Sequence, residues 1–100
     1  MADRCDCRLT VLGNSTSLQQ FQSSNWEKQL GVCYLEPLEF SRRRFVVLFE
    51  MQPLDELRFQ RLSHRWATLV FLLDYEIPHR RRKGILKAMR GDVEQHEVRY

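Results

Sequence analysis

A chain of 100 residues and 12.1 kDa, 43% hydrophobic and 29% charged, is long enough for one small core and too short for two. No apolar run reaches the roughly 18 residues of a membrane span, and Asp3, Arg4 and Asp6 stand where a secretory leader would be apolar, so a cytoplasmic protein is expected. Sixteen Lys and Arg against 13 Asp and Glu leave a formal charge of +3, milder than that of a dedicated nucleic-acid binder.

The first periodic segment is residues 7–12, where Cys7, Leu9 and Val11 alternate with Arg8 and Thr10, the pattern of a strand with one face in a core. Gly13 and Asn14 end it. Asn14, Ser15 or Thr16 can cap a following helix, because a side-chain oxygen there accepts from the unpaired amides of the first turn. Leu18, Phe21, Trp26 and Leu30 carry its apolar stripe to Gly31, a natural stop. A second extended region starts at Val32, and Pro37 within it removes a ladder donor, which predicts an edge strand or an irregular entry. Residues 45–51 follow as a stronger strand, with Phe45, Val47, Phe49 and Met51 on one face and Arg44 and Glu50 on the other. Pro53, Asp55 and Glu56 suit the first turn of a second helix, whose stripe is expected from Leu54, Leu57, Leu62 and Trp66 with Phe59 on its flank.

Residues 68–76 are nearly continuous apolar, as in a central strand covered on part of both faces. Pro78 closes it, and a basic loop of His79, Arg80, Arg81, Arg82 and Lys83 leads into two extended runs joined at Gly91-Asp92, which reads as a two-residue hairpin turn. The order strand, helix, strand, strand, helix, strand, with a terminal strand or hairpin, predicts an α+β, ferredoxin-like split βαβ sandwich in one domain over residues 1–100. Its two helices would lie on one face of an antiparallel sheet, leaving the other face open.

Several residues carry a resemblance. Met1 with Cys5, Leu9-Thr10-Val11 with Gly13, Asn25-Trp26, and the later run of Phe49, Pro53, Leu57, Leu62-Ser63, Trp66, Leu69, Phe71, Leu73, Tyr75-Glu76 and Gly84 are similar to the YubB-like ferredoxin-like family of small phage and plasmid proteins. Asp3-Arg4 and Glu27 depart from that family's Asn-Trp and Asn-Trp-Gly. The resemblance implies a ferredoxin-like fold and an origin on a mobile element; it brings no catalytic residues with it.

No P-loop, dinucleotide glycine fingerprint, Gly-x-Ser-x-Gly or HExxH occurs, so the usual signatures of phosphate, nicotinamide, acyl and zinc chemistry are missing, and a non-enzymatic protein without cofactor is expected. Asp74 and Glu76 alternate on one strand face, where paired carboxylates more often mark the solvent side than an acid–base site. Cys5, Cys7 and Cys33 are odd in number, and with His64, His79 and His96 they lack the two close ligand pairs of a structural zinc site; reduced thiols and no metal are expected. Seven of the 16 basic residues sit in two runs, Arg42-Arg43-Arg44 and Arg80-Arg81-Arg82-Lys83, and these are the candidate partner-binding residues. The leading expectation is a binding module that docks on a host or viral protein complex and inhibits host defence. The alternative is a single-stranded nucleic-acid or RNA binder: Arg43-Arg44-Phe45-Val46-Val47-Leu48-Phe49 has the look of an RNA-recognition strand. However, Phe45 and Phe49 share a core-like face and the first strand offers no aromatic partner, so that reading rests on phosphate contacts alone.

Overall fold

The computed structural model describes residues 4–100; Met1 and Asp3, named above for the family resemblance and the N-terminal charge, lie outside the described residues. Six strands, β1 (Cys5–Leu12), β2 (Cys33–Phe40), β3 (Arg44–Met51), β4 (Val70–Ile77), β5 (Arg82–Met89) and β6 (Asp92–Arg99), form one antiparallel sheet in the order β2-β3-β1-β4-β5-β6. Three helices, α1 (Ser15–Gln22), α2 (Trp26–Leu30) and α3 (Glu56–Arg65), complete a small α+β fold. The connection through α1 and α2 passes over β3, and the one through α3 passes over β1, so the two crossovers interlock.

Strand parity decides which residues enter the core. In β1, Cys5, Cys7, Leu9 and Val11 are buried; across the ladder they face Met51, Phe49, Val47 and Phe45 of β3, and all but Cys5 also face Tyr75, Leu73 and Phe71 of β4. All three helices cover this one face. Phe21 of α1 stacks near Trp26 and meets Phe71 edge-on, each at 5.4 Å between ring centroids, while Trp26 of α2 sits 6.1 Å from Phe45 and 6.0 Å from Phe49. α3 contributes Phe59 and Leu62, and its Ser63 hydroxyl accepts from the Gly91 amide at 3.0 Å, tying the helix to the last hairpin.

Several expectations are corrected in detail. The single first helix is two: Asn14 caps α1 by accepting from the Ser17 amide at 2.8 Å, the chain breaks at residues 23–25, and Gly31, at φ 67°, stops α2. Only glycine takes that φ without strain, and its missing Cβ leaves room for Arg58, whose guanidinium donates to the Leu30 carbonyl at 2.9 Å. The second long helix begins at Glu56 behind an Asp55 cap, so Pro53 precedes it. Leu57 is 58% exposed while Phe59 is fully buried. Residues two apart on a helix point roughly 200° apart, so Leu57 and Phe59 cannot share one stripe, and the larger ring takes the core. The final turn is Arg90-Gly91, both at positive φ, with Met89 opposite Asp92, one position earlier than the sequence pattern suggests.

A polar cluster fixes the end of the sheet where β4 leaves it. Tyr75 of β4 reaches over Gly84 of β5 to β6, where its hydroxyl donates to Glu97 Oε1 at 2.9 Å and meets the Gln95 amide at 2.7 Å. Burial above all raises the Tyr75 hydroxyl to about 12. Arg82 donates to Glu97 Oε2 at 2.7 Å from both Nε and a terminal nitrogen, and this pairing, with the Tyr75 bond adding to it, holds the Glu97 carboxyl below its ordinary range.

Candidate interaction surfaces

The two arginine runs do not converge. Arg42 and Arg43 occupy the β2–β3 turn, beside Gly13, whose amide donates to the Arg43 carbonyl at 3.1 Å. Arg80 ends a short 3-10 turn, Pro78–Arg80, at the opposite end of the strands. An eight-residue strand at about 3.4 Å per residue puts the runs roughly 25 Å apart. Some of these cations also serve the fold. Arg44 grips Glu39 of β2 through Nε at 2.6 Å and a terminal nitrogen at 2.9 Å, a bidentate pair that lowers the Glu39 carboxyl and raises the guanidinium. Arg82 belongs to the Glu97 cluster. Arg81 and Lys83 lie 5.9 and 5.5 Å from the Tyr100 ring centre, whose hydroxyl donates to Glu76.

The sheet face away from the helices is open. Reading the ladders across it, Glu50, Asp6, Glu76, Lys83 and Val98 form one row; Leu48, Arg8, Asp74, Ile85 and His96 the next; Val46, Thr10, Leu72, Lys87 and Glu94 a third; and Arg44, Leu12, Val70, Met89 and Asp92 the last. Carboxylates gather at one end and apolar side chains at the other. A shallow concavity of about 630 Å³ lies among Arg8, Leu48, Asp74, Lys83, Ile85 and His96. On this face β1 and β3 present no aromatic side chain; Phe45 and Phe49 are beneath the helices. A base-stacking platform of the RNA-recognition kind therefore has no rings to stack on.

The β2 edge differs from every other surface. Its eight residues contain Pro37, Tyr34 at φ 57° and two register shifts against β3, between Cys33 and Glu36 and between Pro37 and Glu39. These irregularities throw side chains outward: Tyr34 is 80% exposed, and Leu35, Leu38 and Phe40 are each more than two-fifths exposed. Phe40 leans on Phe45 with 6.3 Å between ring centres. Four large apolar side chains thus lie exposed within seven residues of this edge strand, and Arg42 and Arg43 follow in the turn. Pro37 had signalled an edge; nothing in the pattern signalled that its apolar residues would face outward, because bulges have no residue signature there.

Sequence reasoning also passed over a third basic group. Lys28 of α2 and Arg58, Arg61 and Arg65 of α3 line a groove of about 450 Å³ between the helices. The i, i+3, i+7 spacing of the three arginines was the available signal. Asp55 offsets part of this charge, 3.3 Å from Arg58.

The cysteines are split by position. Cys5 and Cys7 are buried with their sulfurs 3.6 Å apart, and Cys33 is exposed on β2. The hydrogen bond to Cys5 and burial push the Cys7 thiol well above its ordinary range, opposite to what a thiolate nucleophile or ligand needs. Among the described residues no group of three or more His, Cys, Asp or Glu is arranged to hold a metal, and no helix is long and apolar enough to cross a membrane. No protein-family model, curated protein or solved structure matches the chain.

Proposed function

We propose that this chain is a non-enzymatic protein-binding module of the phage and plasmid type, inhibiting a host defence complex by docking its β2 edge into an apolar cleft rimmed by carboxylates. The carrying observation is the exposure of Tyr34, Leu35, Leu38 and Phe40 on one edge strand, with Arg42 and Arg43 in the turn that follows. Tyrosine and arginine are the residue types that dominate binding energy at protein interfaces, and large apolar groups left in water favour burial against a partner. Pro37 and the bulges disfavour simple strand addition along this edge, so side chains rather than backbone would make the contacts. The core reads as a ferredoxin-like split βαβ sandwich, β2-β3-β1-β4 with crossovers through α1–α2 and α3, extended by the β5–β6 hairpin. That reading agrees with the resemblance to the YubB-like family, from which the mobile-element origin is taken.

The test is affinity capture from nuclease-treated bacterial lysate with three baits: the natural chain, a Tyr34→Ala/Phe40→Ala variant and an Arg80→Glu/Arg81→Glu variant. A defined protein retained by the first and third and lost from the second supports the proposal. Retention by all three, or by none, contradicts it. A second reading, sequence-blind contact with nucleic-acid phosphates, is favoured by the Lys28, Arg58, Arg61 and Arg65 groove. It requires binding to single-stranded RNA or duplex DNA that weakens steeply with salt and is lost on Arg61→Glu/Arg65→Glu.

A further inference from the structure

We propose that β6 is a self-pairing edge, through which two copies of this chain join antiparallel about a two-fold axis at Gln95 and continue their sheets into one of twelve strands. β6 is the sheet edge opposite β2, and the two are built differently. β2 is bulged and interrupted by proline, whereas β6 pairs with β5 without a register shift over all eight residues and contains no proline. Proteins blunt edges that must stay single, and of these two only β2 is blunted by bulges and a proline.

Backbone parity then says which groups are on offer. Met89 faces Asp92 across the two-residue turn, and at the far end the Tyr100 amide donates to the Arg81 carbonyl at 2.9 Å. Even-numbered residues of β6 thus direct their amides and carbonyls to β5. Val93, Gln95, Glu97 and Arg99 direct theirs outward. An antiparallel copy must set these odd residues in its hydrogen-bonded pairs, and a shift by one residue would set the helix-covered face of one copy against the open face of the other.

Charge selects among the registers that remain. With Gln95 on the axis, Gln95 faces its own copy and Val93 faces Glu97 in hydrogen-bonded pairs. Glu94 then faces His96 of the second copy, twice, in the closer-spaced non-hydrogen-bonded pairs. Both side chains are exposed on the open sheet face, where an imidazole N–H can donate to the carboxylate. Moving the axis to Glu94 sets Glu94 against Glu94; moving it to His96 sets two imidazoles against each other. Of these three registers only the one on Gln95 brings Glu94 opposite His96, and its interface is closed, as a two-fold requires. The docking proposed for β2 uses the other edge, so neither proposal depends on the other.

The experiment is native mass spectrometry with light scattering over a wide concentration range. The natural chain is expected to pass to a species of twice 12.1 kDa. His96→Glu, which places two carboxylate pairs across the axis without touching the core, is expected to weaken association about tenfold. Glu94→His/His96→Glu, which exchanges the charges, is expected to restore it. Amides of residues 93, 95 and 97 should exchange more slowly at high concentration in the natural chain and in the Glu94→His/His96→Glu variant. A monomer at every concentration overturns the proposal. So does a dimer indifferent to His96→Glu, a charge exchange that fails to restore association, or an open-ended assembly, which would mean β6 of one copy meeting β2 of the next.

Discussion

Replacing Gly84 by alanine tests whether the β4–β6 end of the sheet is organised as described. A Cβ at this position would lie 2.4 Å from the His96 carbonyl oxygen, 2.7 Å from the Tyr75 hydroxyl and 2.9 Å from its ring carbon. All three distances are below contact, and the closest atom is backbone, so β5 and β6 must separate as well as the ring lift. Lifting the ring breaks the bonds of the Tyr75 hydroxyl to Glu97 and Gln95, about 1 kcal/mol each. Forcing the strands apart adds about 1–3 kcal/mol of overpacking strain. The expected loss is about 3–5 kcal/mol, read as a lower urea midpoint at unchanged slope and a fall of at least about 10 °C in Tm for a chain of this size. Tyr75→Phe, which removes only the hydroxyl, should cost about 1–2 kcal/mol, and the double variant should lose less than the sum because both changes break the same bonds. A Gly84→Ala variant within about 0.5 kcal/mol of the natural chain, the range of an ordinary surface change, would refute the placement of Tyr75 across β5.

Other consequences are open to direct measurement. Phe59→Ala should cost about 3–5 kcal/mol as a cavity in the core, while Leu57→Ala, at a residue 58% exposed, should stay within about 0.5 kcal/mol; denaturation of the pair reverses if the helix is rotated. Because burial raises the folded-state Tyr75 value to about 12 from the ordinary 10.0 of a tyrosine, the unfolded chain loses this proton first, and stability should be undiminished below pH 10 and fall between 10 and about 12. Tyr75→Phe should remove that decline. At the acid end the lowered carboxyls of Glu97 and Glu39 act with the opposite sign: their contribution is complete above about pH 4.5 and is lost on acidification, which a pH series of urea midpoints reads. A thiol reagent should modify Cys33 quickly in the folded protein and reach Cys5 and Cys7 only after unfolding, giving one fast thiol natively and three in denaturant.

Alternation alone sufficed to sort β1 and β3, since Cys7, Leu9 and Val11, and Phe45, Val47 and Phe49, are apolar at every second position and no other pairing buries them. The same logic anticipated that Phe45 and Phe49 face a core rather than a nucleic acid. It fell short where geometry depends on a partner strand. The grip of Arg82 on Glu97 spans 15 residues and exists only in the register set by the Arg90-Gly91 turn; placing that turn one residue later pairs different side chains. The partner of Arg44 was hidden likewise, since only the β2–β3 register brings Glu39 beside it. The split of the first helix was hidden because Leu18, Phe21, Trp26 and Leu30 keep roughly helical spacing across the break. At β2 the residues were in plain view, yet outward projection follows from two bulges, and those arise from pairing rather than from any local motif. The partner-binding candidates were thus legible as residue types and not as a surface.

β2 is proposed as the edge that meets another protein. A photo-crosslinking side chain placed in turn at positions 38, 80 and 65, in cells or fresh lysate, tests it most directly. A discrete protein adduct is expected from position 38, sensitive to Tyr34→Ala, with none from position 80. A protein adduct from position 80 but not 38, or nuclease-sensitive adducts from position 65 alone, would contradict it.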